Sequence, residues 1–89
     1  MKVPIKVKRK VRDGNYLISS HCQDELEADG FAGTDAVYAI LTGEVCDKLT
    51  EDESHERYRV YGQARDGREL TVVIFINRGI VVLKTGYES

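Results

Sequence analysis

The chain has 89 residues, of which 42% are hydrophobic and 31% charged, and its formal net charge is −2. This length and composition predict a single domain with one hydrophobic core, since two domains would need a longer chain. No apolar run approaches the roughly 20 residues of a membrane-spanning helix and no apolar signal segment follows the basic N-terminus, so we expect a cytoplasmic protein.

The charged residues are unevenly distributed along the chain. Residues 1–12 contain six basic and no acidic residues, and residues 13–56 contain twelve acidic residues against Lys48 alone. Residues 57–89 contain six basic and three acidic residues. The two ends could therefore contact a polyanion, or the basic and acidic segments could neutralise each other in the fold.

The chain has only two cysteines, Cys22 and Cys46. A secreted domain of this size usually has more, arranged in a disulfide framework. We therefore expect two free and buried thiols, with a disulfide between them as the alternative. The sequence has neither a compact zinc-binding spacing nor a glycine-rich phosphate loop, so we expect no metal and no cofactor.

The first predicted helix covers residues 3–13. Val3, Val7 and Val11 recur at the four-residue spacing of one helix face. The alternation of Ile5 and Val7 leaves a strand open as the other interpretation. A basic last turn followed by Gly14 favours the helix.

Two further helices are predicted over residues 21–29 and 35–42, after a short extended link at residues 15–18. Ser20 is the expected N-cap of the first of these, with Gln23 completing a capping box. Thr34 is the expected cap of the second, and Gly43 follows its end. The short connection between them predicts two helices that meet at a corner.

The second half of the chain predicts four strands, over residues 44–49, 57–65, 69–76 and 80–87. The acidic stretch at residues 50–56 is predicted to be a mobile loop. The fold class is therefore α+β, with two to three N-terminal helices packed on one face of a four-stranded antiparallel sheet.

Two turns set the predicted register of these strands. Asp66-Gly67 suits a two-residue hairpin loop, which would place Val60 opposite Val73. A three-residue turn at residues 77–79 would place Val73 opposite Leu83. The face predicted to hold the helices then carries Tyr58, Val60, Val73, Phe75, Val81, Leu83, Thr85 and Tyr87.

The opposite face of the sheet is predicted to combine an apolar middle strand with polar flanks. Arg57, Arg59 and Lys84 could bind phosphate, and Tyr61 could stack on a base. The alternative is an ordinary solvated face, covered in part by the N-terminal segment or by a second subunit.

The order of these motifs resembles a small bacterial family that is itself a domain of unknown function, grouped with the RelE/ParE-like toxin superfamily. The resemblance spans residues 16–88. It rests on the segments SSH, DG followed by F, TDAVYAILTGEV, RYRVYGQARDGRELTVVIF and KTGYES. The stretch QDELEADG departs from the pattern, because it carries carboxylates where family members commonly carry two arginines.

This resemblance implies a RelE-like fold and a set of partners. Members of the superfamily are ribonucleases or gyrase inhibitors, and each is neutralised by an antitoxin. The implied partners are therefore an antitoxin protein and RNA, with a homodimer as a further expectation.

Three residues are candidates for catalysis. His21, at the start of a helix, could act as a general base on a ribose hydroxyl, and Tyr87 could serve as the matching acid. Arg59, with its basic neighbours, could stabilise the charge of a phosphorane. The structural alternative is a buried hydrogen bond between His21 and Tyr87.

Two functions remain open from the sequence. One is a toxin-type domain that is a metal-free ribonuclease. The other is a non-catalytic protein-binding or regulatory module, self-associating through its sheet. The net acidic charge and the missing helix arginines favour the second function.

Overall fold

A computed structural model describes residues 1–48 and 56–89, so most of the predicted loop at 50–56 lies outside the described residues. Within these ranges the fold is α+β, with three helices and one five-stranded sheet. In chain order the elements are α1 (Ile5–Arg12), β1 (Tyr16–Ile18), α2 (Ser20–Ala28), α3 (Gly33–Thr42), β2 (Glu44–Lys48), β3 (Arg57–Gln63), β4 (Glu69–Asn77) and β5 (Ile80–Glu88). None of the described helices is long and apolar enough to cross a membrane.

The sheet has the strand order β1-β5-β4-β3-β2. Strands β2 to β5 pair antiparallel, whereas β1 pairs parallel with β5. The prediction of four antiparallel strands was therefore wrong in missing β1. A three-residue strand shows no periodicity, and its pairing is visible only in space, as in the hydrogen bond from Ser19 N to Leu83 O (3.0 Å).

All three helices pack on one face of the sheet. Helix α2 lies on β5, α3 lies on β3 and β4, and α1 packs against α3 and β5. Residues Ile5–Arg12 form a helix and not a strand, and Val7 and Val11 are its buried residues. Helices α2 and α3 begin at earlier residues than the predicted N-caps, Ser20 and Thr34, indicated. Ser19 caps α2 by accepting from Cys22 N (3.1 Å).

The N-terminus of α3 is also earlier than predicted. Its N-cap is Ala32, and not Thr34. The carboxylate of Asp35 accepts a hydrogen bond from Ala32 N at 2.9 Å. The same carboxylate accepts from Arg65 N at 3.0 Å, which ties the start of α3 to the turn between β3 and β4.

The turn between β3 and β4 has three residues, and not the predicted two. Gln63 pairs with Glu69, and Ala64 N donates to Arg68 O at 2.8 Å. The loop is thus Arg65-Asp66-Gly67, with Gly67 at a φ of 92°. A glycine accepts this left-handed conformation without the steric cost that other residues have.

The turn between β4 and β5 has two residues, and not the predicted three. Asn77 pairs with Ile80. The two residues between them, Arg78 and Gly79, have φ values of 51° and 78°. Positive φ at both positions is the signature of a type I′ hairpin turn.

Because both turn lengths were predicted wrongly, the observed orientation of β4 is the inverse of the predicted one. Leu70, Val72 and Ile74 are fully buried beneath the helices, whereas Val73 and Phe75 lie on the opposite face. The residues of β3 and β5 that were predicted to face the helices do so. The two wrong turn lengths changed the register of β4 by one residue against both neighbouring strands, and left β3 and β5 in their predicted relation to each other. Tyr87 is an exception: a bulge in β5 precedes it, and it pairs with Thr71 on the face away from the helices.

This register can be tested with two matched substitutions. Val72→Thr places an unpaired hydroxyl in the core, which should reduce the free energy of unfolding by about 1–3 kcal/mol. Val73→Thr, on the other face, should cost less than about 0.5 kcal/mol. Urea denaturation measures both. A larger loss for Val73→Thr would support the two-residue turn and contradict the structure.

Candidate functional site

The face of the sheet opposite the helices is a candidate binding surface formed by described residues. We call it the open face. Val73, Phe75 and Val82 form a half-buried apolar floor, and the flanking tyrosines are exposed. The open face comprises Arg57, Arg59, Tyr61, Val73, Phe75, Val82 and Tyr87.

The two arginines of the open face are held in place by neighbours. The guanidinium carbon of Arg57 lies 5.9 Å from the centroid of the Phe75 ring, within cation–π range. Arg59 Nη1 donates to Asp47 Oδ2 at 2.6 Å. Arg59 Nε is buried and has no hydrogen-bond acceptor among the described residues. The sequence prediction that both arginines share one face with Tyr61 is confirmed.

Carboxylates accompany these cations on the open face. Glu44 pairs with Tyr61 and Asp47 with Arg59 across β2 and β3. A hydrogen bond with Glu69 raises the pKa of Tyr61 above its usual value. The open face therefore has mixed charge. Such a face suits a surface that has both polar and apolar groups better than it suits a chain of phosphates.

Lys84, predicted to contribute to the same surface, lies at the bulge of β5 and is exposed. Its backbone oxygen accepts a hydrogen bond from Ser19 Oγ at 3.0 Å. The contact of Lys84 in the described residues is thus made by its backbone oxygen, and it joins the N-cap of α2 to β5.

His21 lies on the helix side of the molecule, next to a carboxylate. Its Nε2 is 3.2 Å from Glu25 Oε1, and its side chain is 72% exposed. Glu25 Oε1 also accepts from Thr85 Oγ1 (2.5 Å) and from Gly86 N (3.4 Å). Glu25 therefore joins α2 to β5 and orients the imidazole of His21. The sequence analysis did not identify this role of Glu25.

The predicted pairing of His21 with Tyr87 is wrong in position. Tyr87 lies on the open face, whereas His21 projects from α2 on the other side of the sheet. No hydrogen bond joins them in the described part of the chain. The structure thus brings Arg57, Arg59 and Tyr61 together but separates His21 from Tyr87 and Arg59, and the roles of these residues stay predictions.

Arg68 is a structural residue that the sequence indicated only as part of a turn. Its Nη1 and Nη2 donate to the backbone oxygens of Asp29 (2.9 Å) and Gly30 (3.0 Å) at the end of α2. Its guanidinium carbon lies 4.1 Å from the Phe31 ring centroid. Hydrogen bonding to Asp66 raises the pKa of Arg68. The guanidinium therefore caps α2 and fixes it to the β3–β4 turn.

The two thiols are free but have different environments. Cys22 is buried, and its burial raises the pKa of the thiol to about 11. Cys46 is exposed, so the expectation of two buried thiols was wrong for it. Cys46 lies in a three-residue stretch of β2 where the pairing with β3 shifts register, which the sequence could not indicate.

Comparisons with known proteins give one match. Residues 18–88 match the model of a protein family described as Domain of unknown function (DUF4258). The matched range begins at the last residue of β1, and α1 precedes it. No curated protein and no solved structure matches the chain significantly.

The thiol environments predict different reactivity. A thiol-specific reagent at neutral pH should modify Cys46 rapidly and Cys22 only after unfolding, because the thiolate is the reactive form. Counting modified thiols by mass spectrometry, with and without denaturant, checks this. The variant Cys46→Ser should show no native reaction, and fast modification of this variant would contradict the buried position of Cys22.

The link between α2 and β5 predicts a stability difference. Glu25→Gln removes the charge from a partly buried acceptor and should lower the free energy of unfolding by about 1 kcal/mol. The neighbouring exposed substitution Asp24→Asn is the matched control and should cost less than about 0.5 kcal/mol. Urea denaturation measures both. Equal losses of unfolding free energy in the two variants would show that Glu25 does not stabilise the contact between α2 and β5.

Proposed function

The chain belongs to the family described as Domain of unknown function (DUF4258), and we propose that it is a toxin-type domain of the RelE/ParE-like superfamily that binds a protein target. The open face is the binding surface. The observation that carries the proposal is that Arg57, Arg59 and Tyr61 lie side by side on β3, beside the half-buried apolar floor of Val73 and Phe75.

The composition of the open face supports a protein partner. Tyrosine, arginine and phenylalanine are enriched at the centres of protein interfaces, and tyrosine and arginine are prominent among the residues that dominate binding energy. Tyr61 and Tyr87 are exposed at its margins. A partner that covers this surface can bury the apolar floor and the surrounding aromatic and guanidinium groups in a single interface.

The charges of the open face also support a protein rather than a polyanion. Asp47 neutralises Arg59 at 2.6 Å and Glu69 hydrogen-bonds with Tyr61, so a phosphate near either residue would meet a carboxylate. A protein partner can provide donors for these carboxylates.

The arrangement of layers supports the superfamily part of the proposal. Strands β2 to β5 form an antiparallel sheet with the described helices on one side, which is the layout that the RelE-like resemblance implies. Strand β1 extends this layout by one parallel strand. In this proposal an antitoxin is a protein that neutralises the domain by covering the open face.

Expression in a bacterium tests the proposal. Induced synthesis should arrest growth, and Arg59→Ala or Tyr61→Ala should relieve the arrest. A hot-spot residue contributes about 2 kcal/mol or more to binding, roughly a 30-fold change in affinity. Arg65→Ala, an exposed arginine in the β3–β4 turn, is the matched control and should still arrest growth. Colony counts with and without inducer measure the effect.

Two outcomes would contradict the proposal. One is unimpaired growth despite abundant soluble, full-length protein. The other is arrest that Arg59→Ala and Tyr61→Ala both leave unchanged. Self-association through the open face is an alternative use of the same surface, which light scattering of the purified protein distinguishes as a dimer that Tyr61→Ala dissociates.

A metal-free ribonuclease is the second candidate function. The observation that favours it is the exposed imidazole of His21, 3.2 Å from the carboxylate of Glu25, since a carboxylate can orient a histidine that acts as a general base. In the same strain, this function predicts RNA cleavage that His21→Ala abolishes. Intact RNA during arrest, with arrest retained by His21→Ala, would exclude it in favour of binding.

A further inference from the structure

A second surface, on the helix side of the molecule, has a different chemistry. We infer that the outer surface of α1, together with the β4–β5 turn, binds the phosphate backbone of nucleic acid without reading its sequence. We call it the α1 surface. It comprises Lys8, Arg9, Lys10 and Arg12 of α1, and Arg78 of the turn. This inference does not rest on the function proposed for the open face.

The fold fixes the direction in which the α1 cations point. Five of the eight residues of α1 are basic and none is acidic. Val7 and Val11 are buried in the core, which holds the helix in one rotational setting. Arg9 and Arg12 are exposed, and Lys8 and Lys10 are half-buried at the sides of the helix. The accessible surface of α1 therefore carries these four cations, beside the exposed side chain of Ile5.

The β4–β5 turn adds to this charge. Lys10 Nζ reaches the turn, 3.7 Å from the point where a Cβ on Gly79 would lie. Arg78, beside Gly79, is exposed. Basic residues from the N-terminal and C-terminal segments thus lie together. The sequence left open whether the two basic ends could contact a polyanion or are neutralised by the acidic segment, and in this region the two basic ends lie together.

The charge of the α1 surface is not neutralised by neighbours in the described ranges. Lys6 pairs with Glu56 at 2.7 Å. Within residues 1–48 and 56–89, no ion pair involves the five residues of the α1 surface. Unpaired cations held close together repel one another, and a polyanion relieves this repulsion.

The α1 surface fits nucleic acid better than a protein or a membrane. Protein interfaces need an apolar or aromatic centre, whereas here five cations stand beside two exposed aliphatic side chains, Ile5 of α1 and Ile80 after the turn. Membrane-surface helices insert an apolar face, but the valines of α1 are already buried in the core. Phosphate contacts need cations and hydrogen-bond donors, and carry no sequence information themselves.

The α1 surface is a feature of this chain beyond the matched family region. The family match covers residues 18–88, whereas α1 covers Ile5–Arg12. Four of the five cations of the α1 surface therefore lie outside the matched residues. In this chain a cationic helix thus precedes the matched region and packs against the domain through its own valines.

Fluorescence anisotropy of the full chain tests this inference. The probes are labelled single-stranded RNA 20-mers of two unrelated sequences. We expect similar affinity for both, with the logarithm of the affinity falling linearly with the logarithm of salt concentration. The double variant Arg9→Ala/Arg12→Ala should bind about tenfold more weakly at low salt, and its salt slope should be smaller by roughly 1.4, since each single-strand phosphate contact contributes about 0.7.

Two control variants sharpen the test. Arg9→Lys/Arg12→Lys keeps the charge and should retain binding and slope. Arg65→Ala, in the turn at the other end of β4, should also bind like the wild type. The inference is overturned by absent binding at low salt, by affinity independent of salt, or by unchanged affinity in the double alanine variant. Binding to vesicles with anionic lipid, without binding to RNA, would overturn it in favour of a membrane surface.

Discussion

The lengths of the two turns that flank β4 determine the orientation of this central strand, and the other layers depend on that orientation. A three-residue turn before β4 and a two-residue turn after it direct Leu70, Val72 and Ile74 towards the helices. Because side chains alternate along a strand, a one-residue change in either turn would exchange these residues with Val73 and Phe75. The core and the open face are therefore two results of one constraint.

Sequence reasoning predicted the elements well and the turns poorly, for identifiable physical reasons. Valine spacing gave α1, and the switch to two-residue alternation gave β2 to β5. The dipeptide Asp66-Gly67 indicates a turn, but residue types do not show whether Arg65 belongs to the loop, which would then have three residues instead of two. The grouping of Arg57, Arg59 and Tyr61 was predicted correctly because it needs only the alternation of side chains along β3. The errors in the two turns offset each other, so β3 and β5 kept their relative orientation while β4 was inverted.

The contacts that orient the candidate sites could not be predicted, since they join residues far apart in the chain. Glu25 meets Thr85, and Arg68 caps α2 from a different hairpin. The bulge in β5 placed Tyr87 away from His21, which separates two residues that alternation alone would pair. Two surfaces result on opposite sides of the sheet: an open face of mixed charge, and a helix surface of unpaired cations.

The parallel pairing of β1 with β5 has a consequence for how the chain acquires its structure during synthesis. Ile18 is in register with Leu83, so β1 leaves the ribosome long before its partner is translated. Contacts between residues so distant in sequence slow folding. We therefore expect β1 to stay unpaired and accessible to chaperones until β5 has been synthesised and has left the ribosome.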